Sequence, residues 1–194
     1  VGNVITHDPA LVKDLHDRGH EIASHDIIHD NKLVWLSQDE RRDRLKQARE
    51  SIDPYDGIGF RSPSLLRDID MLHDVANYFY YDSSVCDSDL EQLRGCTTVM
   101  PFRSDKRLEI PVTLPMDCSL MFMAYSGDDA VGVWREKCAY IREVGGLATL
   151  VTHAEPQFSG QGQWLDVLSR FLAWVQEQSD VKVLLPRMVA EMWP

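Results

Sequence analysis

The amino-acid sequence predicts an α/β fold built around a parallel sheet. Short apolar segments of strand length alternate with segments of helix length, which is the pattern of consecutive βαβ units. The 194 residues are 44% hydrophobic and 26% charged, a composition typical of globular proteins. This length predicts one domain, residues 1–194, with a sizeable hydrophobic core.

In the first half of the chain, each predicted helix has a recognisable start or end. Asp8-Pro9 supplies an N-cap and a proline for the first turn, and Gly19 ends that helix. Ser37 to Glu40 is a capping box that opens a charged helix, which ends before Pro54. A third helix is predicted from Asp68 to Tyr78. Strands are predicted beside these helices at residues 20–24, 58–60 and 79–81.

In the second half, the segment from Cys86 to Met123 lacks a helical period. It contains two β-like pieces, residues 108–110 and 112–114. A helix from Ala130 to Val144 ends at Gly145-Gly146, and the apolar run after it has the length of a strand. The predicted elements after Gly146 are a strand over 147–152, a helix over 165–178, a strand over 181–185 and a helix over 186–193.

Charge and composition exclude several classes of function. The formal net charge is −11, and no cluster of Lys or Arg provides the positive surface that nucleic acids or anionic membranes require. No apolar run approaches the roughly 20 residues of a membrane span. The four cysteines form no C-x-x-C pair, so we do not expect a cysteine-ligated zinc site. Because the net charge is strongly negative, we expect a neutral or cationic ligand.

Polar residues with catalytic potential follow the predicted strands. They are His25 and His29, Arg61, Asp82 and His153. Taken singly, each is compatible with a solvated loop histidine, a salt bridge or a buried histidine, but ligand sites gather at the carboxyl ends of parallel strands. Two neutral imidazoles suit Zn²⁺ or a similar cation, which supports amide or ester hydrolysis. A further histidine can protonate a leaving nitrogen, and no G-x-S-x-G elbow offers a serine nucleophile.

These residues carry a family resemblance. The run from Gly19 to His29, GHEIASHDIIH, resembles the zinc-binding segment of the polysaccharide deacetylases, which contain the NodB homology domain and form carbohydrate esterase family four. Later segments resemble that family's motifs in the same order along nearly the whole chain. They are Phe60 to Pro63 (its R-x-P segment), Tyr81 to Ser84 (its Asp-containing segment), Glu109 to Thr113, and Leu150 to His153 (its Leu/His segment).

The resemblance implies a distorted (β/α) barrel with the site at its carboxyl-terminal face. His25 and His29 would ligate zinc, Arg61 would orient the catalytic carboxylate, and His153 would be the general acid. Pro63 precedes Ser64, whose backbone N–H would help hold the oxyanion, and Asp82 would line the substrate cleft. The reaction implied is removal of an N-acetyl group from an amino-sugar polymer with release of acetate, in the cell envelope or outside the cell.

One family segment is absent from this sequence. The first motif, T-F-D-D-G, would supply the general base and a third metal ligand. Because Val1-Gly2-Asn3 resembles the end of the family's second strand, we expect a barrel that is incomplete at its N-terminus, with a gap beside the metal loop. Either the chain is a piece of a longer enzyme, which we favour, or the motif has decayed. Asp26 or Asp30 could stand in as a ligand.

Two alternative functions stay open. Relatives with the Asp-Ser-Ser form of the fourth motif act on small cyclic amides, so an allantoin-like substrate in the cytoplasm is the first alternative. The second is a non-catalytic carbohydrate-binding relic of the fold, with aromatic residues that stack on sugars. The candidates for such stacking are Trp134, Trp164, Tyr80 and Tyr81, each of which is better explained by core packing.

Overall fold

A computed structural model describes residues 2–87, 97–104 and 106–193. Where the sequence predicts one domain, contacts divide the chain into two compact units. Unit 1 comprises Val1–Val85, Pro101–Ile110 and Leu184–Pro194, and unit 2 comprises Cys86–Met100 and Pro111–Val183. Within the described residues, no helix combines the length and apolar character needed to cross a bilayer.

The sheet lies in unit 1 and has four short strands in the order β1-β2-β4-β3. Strands β1, β2 and β4 are parallel, as predicted, and β3 is antiparallel to β4. The mixed α/β class is thus confirmed, whereas a closed barrel is not formed by the described strands. Their bounds are Gly59–Phe60 (β1), Tyr81–Asp82 (β2), Phe102–Ser104 (β3) and Arg107–Glu109 (β4).

Glycine is required in β1 because its neighbour strand approaches closely. A Cβ at Gly59 would overlap the ring of Tyr81, which pairs with Gly59 in the ladder. The strand predicted over residues 20–24 is mostly absent, since only Ser24 makes a bridge, to Phe60. That bridge still places residue 25 directly beside the end of β1.

The predicted helix starts of unit 1 are confirmed in detail. The side chain of Asp8 accepts a hydrogen bond from the N–H of Leu11, and Ser37 and Glu40 form the expected capping box. The α1 helix was not predicted, because its residues had been interpreted as a strand end. The helices of unit 1 are Gly2–His7 (α1), Pro9–Asp17 (α2), Gln38–Ile52 (α3), Ile69–Val75 (α4) and Pro186–Met192 (α8).

Unit 2 is built around the packing of two long helices. They are α6 (Gly127–Val144) and α7 (Gly162–Gln176), both close to their predicted bounds, and Trp134 and Phe171 meet between them with ring centroids 5.2 Å apart. The indole of Trp134 donates to the carbonyl of Pro115 (2.7 Å) from within this core. A short helix, α5 (Asp117–Phe122), lies in the segment predicted to lack a helical period, so that prediction is wrong here.

The strands predicted over residues 147–152 and 181–185 do not form. In the first of them, both backbone groups and one side-chain hydroxyl bond to the run without forming a ladder. The N–H groups of Thr113 (3.1 Å) and Leu114 (3.0 Å) donate to the carbonyl of Thr149. The Thr113 hydroxyl donates to the carbonyl of Leu147 (2.7 Å) and accepts from the N–H of Thr149 (2.8 Å). These hydrogen bonds hold the apolar run in place, although it is not part of a sheet.

Candidate functional site

The two histidines predicted as metal ligands lie together in unit 1. The ring centroids of His25 and His29 are 5.2 Å apart in an edge-on arrangement. Nδ1 of His25 lies 2.8 Å from the backbone carbonyl of Arg61. Because a carbonyl only accepts, Nδ1 carries the proton, and Nε2 keeps a free lone pair. Burial lowers the pKa of His25 to about 4, so the ring is neutral at pH 7.

The loop between these histidines is held by a buried ion pair. Asp26 has a left-handed backbone (φ 61°), and its buried carboxylate accepts from Nε (2.8 Å) and Nη2 (2.6 Å) of Arg44. Arg44 also binds Asp30 (2.8 Å), and its hydrogen bond lowers the pKa of Asp30 to about 2. Both carboxylates are thus occupied by Arg44, and the expectation that one of them ligates a metal is not supported.

Arg61 makes hydrogen bonds at this site with both its backbone and its side chain. Its Nε donates to the carbonyl of Ser83 (2.9 Å), and its Nη2 donates to the Ser83 hydroxyl (2.7 Å). These bonds fix Arg61, whose carbonyl in turn fixes His25. The role of Arg61 toward a catalytic carboxylate stays a prediction.

The Ser62–Leu66 loop follows Arg61 and contains Pro63 and Ser64. The N–H of Ser62 donates to the hydroxyl of Ser84 (2.9 Å), and the Ser62 hydroxyl donates to the carbonyl of Leu66 (2.5 Å). Pro63 is buried, whereas Ser64 is exposed with a left-handed backbone (φ 51°). The Ser64 hydroxyl lies 3.1 Å from Oδ1 of Asn31, which connects this loop to the chain just after His29.

Asp82 does not line an open cleft. Its side chain is fully buried, accepts from the Ser84 hydroxyl (2.6 Å), and pairs with Arg107 (3.2 Å). Arg107 also pairs with Glu109 (3.1 Å), whose pKa is raised by burial and by the charge of Asp82. Asp82 thus belongs to a buried charge network that anchors Ser84 beneath the Ser62–Leu66 loop, and its expected role toward substrate stays a prediction.

His153, the predicted general acid, lies in unit 2 on a buried carboxylate that the sequence analysis missed. Nδ1 of His153 is 2.6 Å from Oδ1 of Asp117, and its backbone N–H donates to Oδ2 (2.8 Å). The hydrogen bond with Asp117 raises the pKa of His153 to about 10. Burial would raise the pKa of Asp117, but hydrogen bonds from His153 and Ser159 outweigh it and lower that pKa.

Asp117 was missed because it opens α5 within a segment that we interpreted as non-helical. The available signal was an acidic residue at the start of a short apolar run, which is typical of a helix N-terminus. The aromatic candidates for sugar stacking also change. Trp134 is fully buried in the core of unit 2, and Tyr81 is buried with its hydroxyl on Glu21 (2.8 Å), so neither contacts a ligand from the surface.

Unit 2 also contains a group of three potential metal ligands. Single donor atoms of Asp117, Cys118 and His153 lie within 4.8 Å of one another, a group found among the described residues. Cys118 belongs to no C-x-x-C pair, so the spacing of cysteines along the chain did not indicate this group. The oxygens of Asp117, however, already accept from His153, from the N–H of Cys118 (2.7 Å) and from Ser159 (2.7 Å).

Three proteins of known structure are among those that share this fold. A protein assigned as a polysaccharide deacetylase from Mycobacterium smegmatis matches with a TM-score of 0.78 at 25% identity, covering 98% of this chain and 68% of its own. A protein of the same assignment from Pseudomonas aeruginosa PAO1 matches with a TM-score of 0.81 at 18% identity, covering 100% of this chain and 65% of its own. The chain matches the polysaccharide deacetylase superfamily.

Puue allantoinase, a third member of this fold, matches with a TM-score of 0.78 at 18% identity, covering 100% of this chain and 65% of its own. The chain thus spans about two thirds of the length of each of these proteins. The resemblance deduced from the motifs is confirmed by the superfamily's fold. No family model and no curated protein matched the sequence itself.

Proposed function

We propose that this protein is a metal-dependent hydrolase of non-peptide C–N bonds, acting as an N-deacetylase of an N-acetylated amino-sugar polymer with release of acetate. The observation that carries the proposal is the bond between Nδ1 of His25 and the Arg61 carbonyl. It leaves a neutral imidazole with a free Nε2, and the ring centroid of this imidazole lies 5.2 Å from that of His29. The deacetylase assignment of two of the matching structures supports the reaction type.

The residues present fit a borderline divalent cation such as Zn²⁺. His25 and His29 offer two ring-nitrogen donors, and the carbonyl that binds Nδ1 of His25 is the outer partner that ligating histidines usually have. We place the cation here rather than at Asp117, because the Asp117 oxygens are already saturated by donors. When bound, such a cation lowers the pKa of a water molecule and polarises the substrate carbonyl.

The chain's own groups have the following roles in this proposal. The backbone N–H of Ser64, on the strained turn after Pro63, donates to the oxyanion that forms on the acetyl carbon. The imidazolium of His153 gives a proton to the leaving amine nitrogen, so that the amine departs neutral. Asp117 keeps His153 protonated at pH 7 and holds its ring in one orientation.

The test is acetate release from chitooligosaccharides or peptidoglycan fragments by the purified protein. We expect turnover that a chelator abolishes and that added Zn²⁺ restores. His25→Ala should abolish turnover, whereas His20→Ala, which changes an exposed histidine of the same unit, should leave it unchanged. Full activity in His25→Ala would reject the proposal. A polymer substrate would place the protein in the cell envelope or outside the cell.

A small cyclic amide is the second candidate substrate. The match to Puue allantoinase has the same TM-score as the match to the Mycobacterium protein, and the chain has the Asp82-Ser83-Ser84 sequence. A panel of allantoin-like amides beside N-acetylated oligosaccharides distinguishes the two. Oligosaccharide binding that is independent of metal, with no turnover of any substrate, would instead favour a carbohydrate-binding relic.

A further inference from the structure

Three aromatic rings form a continuous row on unit 2. The ring of His153 lies 5.1 Å from the ring of Phe158, and Phe158 lies 6.2 Å from Phe122 in an edge-on arrangement with an interplanar angle of 86°. Phe158 is half-buried, whereas Phe122 is 75% exposed. The row therefore begins at the proposed proton donor and ends at a phenyl ring in open solvent.

Hydrogen bonds fix this row in place. Asp117, the first residue of α5, binds both the backbone and the ring of His153 and also the hydroxyl of Ser159 (2.7 Å). Phe158 lies next to Ser159, and Phe122 is the last residue of α5. A single buried carboxylate thus fixes both ends of the segment that carries Phe158 onto the helix that carries Phe122.

The segment between His153 and Gly160 is also tightly closed. The N–H groups of Phe158 (2.9 Å) and Gly160 (3.2 Å) both donate to the carbonyl of Glu155. A Cβ at Gly160 would overlap the carbonyl of Ala154, so only glycine fits there. Phe158 consequently has little freedom to withdraw, and a ligand that contacts it would lose little entropy from ordering the protein.

An exposed, fixed aromatic surface beside a catalytic group is a binding feature. Burying a phenyl ring that is exposed to water is favourable by roughly 1.5–3 kcal/mol, so a ligand that covers the ring gains this free energy. The flat faces of pyranose rings carry C–H groups that pack on aromatic rings, and neutral sugars need no compensating charge. Because Phe122 is open to solvent, it suits a ring of an extended ligand better than a small amide that must be enclosed.

We propose that Phe122 and Phe158 form an aromatic platform that binds a pyranose ring of an N-acetylated oligosaccharide beside His153. This inference rests on the proposed function for the role of His153, and it assigns the substrate to the polymeric class.

The test measures binding of a chitooligosaccharide to the purified protein by calorimetry and by saturation-transfer NMR. Phe122→Ala should weaken the Kd about 3- to 10-fold, and Phe122→Trp should restore it. Tyr140→Ala is the matched control, because Tyr140 is an exposed aromatic (53%) on α6 of the same unit. Its Kd should equal that of the wild type. Since Phe122 is exposed, the thermal unfolding of Phe122→Ala should match the wild type.

The outcomes separate this inference from the proposed function. Binding that depends on Phe122 without any turnover supports the platform and rejects the hydrolase. Turnover of the oligosaccharide with equal Kd for wild type and Phe122→Ala supports the hydrolase and overturns the platform. Absence of oligosaccharide binding, or an effect of Phe122→Ala on a cyclic amide alone, also overturns the platform.

Discussion

The backbone carbonyl of Arg61 holds the Nδ1 proton of His25 at a distance of 2.8 Å. The two residues are 36 positions apart in the chain, and they meet because Ser24 bridges to Phe60 at the end of β1. The residue after the bridge and the residue after the strand are thereby placed side by side. The imidazole that results is neutral, oriented and able to bind a cation through Nε2.

The first prediction concerns metal affinity. Substituting a ligand histidine removes one of two nitrogen donors, so His25→Ala and His29→Ala should each weaken Zn²⁺ binding by at least about 10–100-fold. A competition titration with a chromogenic chelator measures the Kd. His20→Ala supplies the control for a surface histidine of unit 1. Unchanged affinity in both ligand variants would show that the cation binds elsewhere, and the Asp117 group would be examined next.

The second prediction is that the free energy of unfolding of the metal-free protein falls as the solution becomes acidic. The pKa of His25 is about 4 when folded, below its ordinary value of 6.5. The unfolded chain therefore binds the proton more tightly, and the stability from this residue is complete above pH 6.5 and lost as the pH falls toward 4. Urea unfolding should give a lower free energy of unfolding at pH 5 than at pH 7.5. In His25→Ala this difference should be smaller by on the order of 2 kcal/mol. An identical pH dependence in the variant would contradict the assignment.

The third prediction concerns the proton on His153. Its pKa of about 10 exceeds the unfolded value of 6.5, so its contribution to stability is full below pH 6.5 and is lost as the pH rises toward 10. In NMR titrations, the ring of His153 should remain protonated from pH 5 to pH 8. In Asp117→Asn the pKa should fall back toward its ordinary value, and turnover at pH 8 should fall with it. A wild-type ring that titrates near pH 6.5 would refute the pairing.

The fourth prediction concerns the ion pair beneath the histidine loop. Arg44→Met leaves the carboxylate of Asp26 buried without its partner, so the free energy of unfolding should fall by about 3–5 kcal/mol. Lys46→Met, on the exposed side of the same helix, should change it by less than about 0.5 kcal/mol. Urea unfolding measures both. If the free energy of unfolding falls by the same small amount in both variants, Arg44 does not stabilise this loop.

Local chemistry in the sequence was sufficient for several elements. Asp8 and Ser37 cap their helices as expected, since an N-cap depends only on residues within one turn. The apolar periodicity of α6 and α7 predicted both helices because one face of each packs on the same core. The positions of His25, His29, Arg61 and His153 after apolar runs made them the predicted site residues, and their ligand and catalytic roles stay predictions.

The remaining predictions failed where nonlocal contacts decide the outcome. The run from Leu147 to Thr152 has the composition of a strand, but its hydrogen bonds with the backbone and the hydroxyl of Thr113 do not extend into a ladder. The sequence also gave no sign that Arg107 and Ser84 would hold the Asp82 carboxylate in the interior, and the role of Asp82 toward substrate stays a prediction. A sequence pattern gives no information about which distant group will satisfy a backbone or a buried carboxylate.

The sequence by itself determined the α/β class, the capped helices and the residues that carry the proposed chemistry, because all of these follow from local pattern and residue type. The tertiary structure decided what each of those residues can do. The Arg61 carbonyl selected the tautomer of His25, and Asp117 selected the charge of His153. Burial and hydrogen bonding from distant parts of the chain set a proton's position, and only folding brings those groups together.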